Sequence, residues 1–211
     1  MALLLLFPVM TIRHARLAAF LLLVAASLPS QTPSRKTTQP AQPKPDAGTF
    51  VNNVYTNPYI GFSYTAPGDG WTSVPQDEKA KQAELPGQFQ LLRAFVRTDT
   101  RQQVLQLRAD DASFYHPRIT LEAWFKGVTH HVASLKEIQI IKDPYAVEYA
   151  GLHFYRADYK QNYGGQLVYG SIFGTEHNGF MLNWIFVATA EETLKELADS
   201  LGTLSFVHAR N

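Results

Sequence analysis

The sequence predicts an α+β fold: an antiparallel β-sheet meander with helices packed on both faces, an α/β/α sandwich. Three observations lead there. Strand-like runs crowd the last third of the chain, separated by glycine-containing turns. One amphipathic helical pattern precedes this meander and a second follows it. Finally, Phe180 to Ala188 is apolar on both alternating faces: Leu182, Trp184 and Phe186 on one, Met181, Ile185 and Val187 on the other. A strand of that kind belongs in the middle of a sheet with something packed on each side.

The first 30 of the 211 residues read as an export signal. Arg13, His14 and Arg16 precede an apolar run from Leu17 to Leu28, and small residues follow. Twelve residues make about 18 Å of helix against a roughly 30 Å hydrocarbon core, so cleavage is expected and no stable membrane span remains. Met10 offers a second start, since the order from there is that of a conventional signal. Residues 31–48 continue as a Pro-rich linker; between 29 and 48 stand five of the 12 prolines and no large apolar side chain. The stretch is an extended spacer. The folded domain is expected over 49–211, and the protein in the periplasm or outside the cell.

In that domain Ile60, Phe62 and Tyr64 alternate with Gly61, Ser63 and Thr65, a half-buried strand stopped by Pro67-Gly68-Asp69-Gly70. Residues 75–85 are polar and read as a short helix or irregular. Phe89 to Arg97 and Gln103 to Arg108 read as strands around the turn Thr98-Asp99-Thr100. Leu121, Trp124, Phe125, Val128 and Val132 form one helical stripe, with Thr120 as N-cap and Glu122 paired with Lys126. Ile138 to Lys142 is a strand. Leu152 to Tyr159, Gln166 to Thr175 and Phe180 to Ala188 follow, joined through Asn162 to Gly165 and through Asn178-Gly179, a strong hairpin signal. Thr189 and Glu192 have capping-box spacing ahead of the stripe Leu194, Leu197, Ala198 and Leu201; Gly202 ends the helix, and Leu204 and Phe206 return to the body.

Composition narrows the function. The chain has no cysteine, which excludes disulfides, thiolate metal sites and cysteine nucleophiles. Five of the 19 basic residues and one of the 18 acidic residues precede Phe50, so the body carries a net charge of −3. That balance argues against nucleic acid as a partner and lacks a patch for anionic membranes.

No familiar catalytic or nucleotide-binding signature is present. Gly170-Ser171-Ile172-Phe173-Gly174 has the wrong spacing for a serine elbow and sits in a predicted strand. Asp110 and Asp111, close to His116, could serve acid–base or hard-metal chemistry. His130 and His131 are adjacent on the predicted helix, and neighbours cannot share a helical face, so a metal would need His116 or Asp111 brought to them by the fold. A solvated loop and boundary histidines are the plainer reading. His153 suits a hydrogen-bonded position in the sheet and His177 a turn. Tyr145, Tyr149, Tyr155, Tyr159, Tyr163 and Tyr169 crowd the meander; Tyr155, Tyr159 and Tyr163 are the candidates for an interaction surface, against plain sheet packing.

Gly61-Phe62-Ser63-Tyr64 followed by Pro67 and Trp71, with the closing Leu201-Gly202-Thr203-Leu204-Ser205-Phe206, resembles the opening and closing of PsbP-like domains over roughly residues 50–207. The resemblance implies the α/β/α sandwich and a non-enzymatic role. Relatives in that family include extrinsic subunits of photosystem II and a Ran-binding protein, and there are many secreted bacterial members; neither a photosystem nor a Ran-type role is implied for a chain with an export signal. No binding residue carries over, because none matches position by position. The expectation is an exported, non-catalytic accessory or binding domain without a cofactor, taking a protein or small-ligand partner. The alternative is a metal-dependent enzyme or metal-binding protein using Asp110, Asp111, His116, His130 and His131.

Overall fold

The computed structural model describes residue 45 and residues 48–75, 85–97, 102–135 and 137–206. The predicted signal, most of the linker, the turn at 98–100 and residues 76–84 lie outside them. The strands are β1 (Thr49–Val51), β2 (Val54–Asn57), β3 (Phe62–Thr65), β4 (Thr72–Ser73), β5 (Gln88–Arg97) and β6 (Gln102–Asp111). Then come helix α1 (Leu121–Ser134), the strands β7 (Ile138–Tyr149), β8 (Leu152–Tyr163), β9 (Gln166–His177) and β10 (Phe180–Ala188), helix α2 (Glu191–Asp199), and β11 (Ser205–Phe206).

Local chemistry explains the meander. Three two-residue turns join β7 to β10, and both residues of each have positive φ: Ala150-Gly151 (49° and 73°), Gly164-Gly165 (58° and 86°) and Asn178-Gly179 (47° and 79°). Two left-handed residues give the turn whose twist matches that of paired strands. β10 then lies in the middle of a seven-stranded antiparallel sheet, in the order β4-β5-β6-β10-β9-β8-β7. Trp184 stands opposite Phe173 on one side and Leu107 on the other. Trp184 is 0% exposed and Ile185 2%, as a central strand with two apolar faces requires.

The core divides at this strand. Leu182, Trp184 and Phe186 cluster with Leu194, Leu197 and Leu201 from α2 and its following 3₁₀ turn, and with Tyr55, Phe62 and Tyr64. Met181, Ile185 and Val187 cluster with Ile172 and Tyr159 of the sheet and with Trp124, Phe125 and Val132 of α1. α1 sits close over β9 because position 174 is glycine: a Cβ there would come within 2.5 Å of the Phe125 ring and 2.8 Å of Trp124.

One departure from the expected single sheet is the second, four-stranded one, β1-β2-β3-β11. It forms because the predicted strand at 59–65 starts only at Phe62. The Asn57 side chain takes the Ile60 N–H (2.9 Å), the Asn57 carbonyl takes the Gly61 N–H (2.9 Å), and Gly61 turns the chain at φ 85°. β3 thus returns against β2 and accepts β11, with Phe62 facing Phe206. Phe62 also stacks edge-on against Trp184 (5.8 Å), and the Tyr64 hydroxyl meets Ser200 Oγ at 2.7 Å. The Trp71 indole N–H closes the following turn on the Pro67 carbonyl (2.8 Å).

Helix α1 has its expected N-cap: Thr120 Oγ1 accepts the Ala123 N–H at 3.2 Å, and Lys126 reaches Glu122 at 2.7 Å. At α2 the expected capping box is not formed. Ala190 is the N-cap, without a side-chain bond, and the Thr189 N–H goes to the Gln102 carbonyl (3.3 Å). Pairing to the neighbouring strand holds Thr189 one residue too early. Gly202 does not end a helix either; it lies inside the 3₁₀ turn Ser200–Thr203. The strand expected at 138–142 runs on to Tyr149, interrupted by register shifts between Ile140 and Lys142 and between Lys142 and Tyr145.

Candidate functional site: a cleft at the end of the central strands

Asp110 and Asp111 close β6, and successive strand residues point to opposite faces. Asp110 lies opposite Met181 on the α1 side and is only 6% exposed. Its Oδ2 accepts the Trp124 indole N–H and the Tyr115 hydroxyl, both at 2.9 Å. Burial nonetheless holds this carboxyl above the ordinary carboxylate range; the bonds from Trp124, Tyr115 and Gln88 and the nearby Arg108 guanidinium pull the other way. Asp111 does something else. Its Oδ1 accepts the Ser113 N–H (2.8 Å) and caps the 3₁₀ turn Ala112–Phe114.

This turn forms one wall of an open cleft of about 640 Å³. Tyr59, Asp111, Tyr115, His116, Arg118 and Phe180 are among the residues that line it, together with Asn178 and Gly179. Long-range bonds hold the walls. The Asp111 N–H goes to Gly87 (2.7 Å), the Ala112 N–H to Gly179 (2.9 Å), and the Asn178 side-chain amide to the Ile60 carbonyl (2.7 Å). Tyr59 is 45% exposed, its ring edge-on to Phe180 at 6.1 Å. Arg118 pairs with Glu176 at 2.7 Å.

The structure brings Asp111 and His116 to this cleft and ties Asp110 to its wall through Tyr115. It does not bring the histidines of α1 to them. His130 is exposed on the helix, and His131 is half-buried with its Nε2 unpaired among the described residues. His131 lies seven residues past Trp124, about 10 Å along the axis. Among the described residues no three histidine, aspartate or glutamate side chains converge as metal ligands. Both aspartates already have partners that are not metal ligands.

The tyrosines also divide. Tyr159 is 3% exposed, packed over Gly170 with no space for a Cβ between them, and is therefore core rather than interaction surface. Tyr155 is half-buried, stacked on Phe125 at 6.0 Å with His153 edge-on at 5.1 Å. The side chain of Tyr163 lies outside the described residues.

A polar cluster on the other face of the sheet has no counterpart in the sequence reading. Arg156 Nε donates to Asp158 Oδ1 (2.9 Å), the Tyr145 hydroxyl donates to Asp158 Oδ2 (3.0 Å), and the Ser171 hydroxyl donates to Asp158 Oδ1. Burial pushes the Tyr145 phenol up to about 12, against the pull of Arg156. Ser171, the residue of the elbow-like pattern, is 0% exposed and bonded inside this cluster. Cross-strand register assembles the group, Asp158 facing both Lys142 and Ser171, and that register is invisible in any one segment.

No protein-family model matches the chain, and no curated protein matches it. Solved structures do. LpqN, involved in cell envelope biogenesis of Mycobacterium tuberculosis, aligns at 12% identity and a TM-score of 0.47, over 69% of this chain and 83% of LpqN. The cyanobacterial PsbP of Synechocystis aligns at 17% identity and 0.47, over 80% of this chain and all of that one. A protein of Bacteroides thetaiotaomicron aligns at 13% and 0.45, over 70% of this chain and 46% of that one. Scores below 0.5 at such identities leave the chain's activity to be argued from its own residues. Among those described, no helix is long and apolar enough to cross a membrane.

Proposed function

We propose that the chain is an exported, non-catalytic binding domain of PsbP-like α/β/α build, and that it binds its ligand or partner in the cleft bounded by Tyr59, Asp111 and Asn178. One observation carries the reading: three separate segments are fixed around an open concavity by the bonds Ala112 to Gly179, Asn178 to Ile60 and Tyr115 to Asp110. A binding site gains affinity when its walls are ordered before the ligand arrives, and a volume of about 640 Å³ is in the range of small-molecule sites. Asp110 is engaged with Trp124 and Tyr115, Asp158 with Ser171, and Asp111, which lines the cleft with His116, caps the 3₁₀ turn. Export rests on the charged, apolar and small-residue order of residues 1–30.

The full chain, expressed with its own N-terminus in a secreting bacterium, tests both halves. N-terminal sequencing of the product should begin between residues 28 and 31. A thermal-shift screen of envelope metabolites should give ligands whose effect is lost in Tyr59→Ala. Turnover of a substrate, abolished by one polar-to-alanine change, refutes the non-catalytic reading; a stoichiometric metal in untagged protein supports the metal alternative instead.

A further inference from the structure

We infer that the cleft receives a neutral oligosaccharide, one sugar ring lying against Tyr59 and the hydroxyls reaching the polar wall; this rests on the cleft being the binding site. The charge pattern decides the class. Among the described lining residues the one guanidinium, Arg118, is paired with Glu176 at 2.7 Å. Among the described lining residues no unengaged arginine or lysine is left to meet a phosphate or carboxylate, and Asp111 would repel either. Asp111 is the one carboxylate among the described lining residues, and Glu176 close by is already paired with Arg118, so the cleft lacks the second acidic group that would select a cationic ligand.

What the cleft offers is shape and hydrogen bonding. A sugar ring has an apolar C–H face and an equatorial girdle of hydroxyls that both donate and accept. Tyr59 presents large, nearly rigid aromatic area, with Phe180 behind it to hold the ring. Asp111 has accepting positions beyond the one filled by Ser113, and His116 and Asn178 add groups that both donate and accept. Asn178 is oriented by the hydrogen bond that its side-chain amide donates to the Ile60 carbonyl, so its own Oδ1 is held in place. Aromatic surface beside fixed, neutral or compensated polar groups fits a neutral polyhydroxylated ligand better than a charged one.

The test titrates the full chain separately with maltohexaose, cellohexaose and chitohexaose, and with inorganic phosphate and an acidic hexapeptide, following backbone amides by NMR. At least one hexaose should move the amides of 111–118 and 178–180. Tyr59→Ala should weaken that sugar about tenfold, and Tyr59→Phe should keep it. Phe95→Ala, an exposed ring toward the far end of β5, should leave it unchanged. If no hexaose moves these amides, the saccharide inference is overturned. In that event phosphate or peptide shifts at the same amides retain the cleft as the site, and silence from all five probes overturns the cleft as well. Equal loss in Tyr59→Phe and Tyr59→Ala overturns the role of the ring.

Discussion

The indole N–H of Trp124, in the first turn of α1, donates to a carboxyl oxygen of Asp110 at 2.9 Å inside the core. That bond fastens the helix to the end of β6, and Tyr115 fastens the cleft wall to the same oxygen. The oxygen pays for this with its hydration, since the carboxyl is held above its ordinary range chiefly by burial.

The sign of the pH effect follows. Above the unfolded value, about 3.9, the native carboxyl binds more protons than the unfolded one, so this group's contribution to stability falls as pH rises through the native value. Asp110→Asn keeps an oxygen for Trp124 and Tyr115 and cannot ionise. Urea midpoints from pH 4 to 8 should show the variant gaining on wild type as pH increases. A gap that widens the other way contradicts a raised Asp110.

Two glycine-to-alanine changes should have opposite signs. Gly174→Ala places a methyl 2.5 Å from Phe125 under a well-packed helix and should destabilise by about 1–3 kcal/mol. Gly127→Ala lies inside α1 with nothing within 4 Å of the new atom, and should stabilise by about 0.5–1 kcal/mol. Thermal melts of the pair give both numbers.

The two threonines before the helices separate in the same way. Thr120→Ala removes a formed cap and should cost about 1 kcal/mol, whereas Thr189→Ala removes no capping bond and should cost little. Equal losses in chemical denaturation would mean that Thr189 caps α2 after all.

Trp184 is fully buried, and its indole N–H has no hydrogen-bond partner among the described residues. An orphaned buried donor costs about 1–3 kcal/mol. Trp184→Phe removes it, offsetting part of the lost packing, and should cost less than about 1.5 kcal/mol. Trp184→Ala should cost about 3–5 kcal/mol. A phenylalanine variant as unstable as the alanine one refutes the offset.

The parts of this fold that could be read in advance are those decided locally. Strand β10 and helix α1 follow from side-chain period, the cap at Thr120 from one side chain, and the turns at Gly164 and Asn178 from residues that tolerate positive φ. The Ala150-Gly151 turn was hidden because alanine carries no sign of a φ of 49°. The small sheet was hidden because Phe62 pairs with Phe206, far along the chain. At the cleft, Asp111 and His116 stand out by composition, but Tyr59, Asn178 and Phe180 join them only through tertiary pairing. Alternation along β6 sends Asp110 and Asp111 to opposite faces, which weakens their reading as a joint metal pair.

The outermost ribbon of the large sheet, β7, breaks step twice and carries Pro144 beside exposed Ile141, Lys142 and Asp143. An arriving chain would meet a kink, a ring nitrogen with no hydrogen to share and a charged fringe where it needs an unbroken row of amides. Concentrated solutions should therefore stay free of filaments grown along this border, leaving Ile141 a solitary greasy spot rather than a seed.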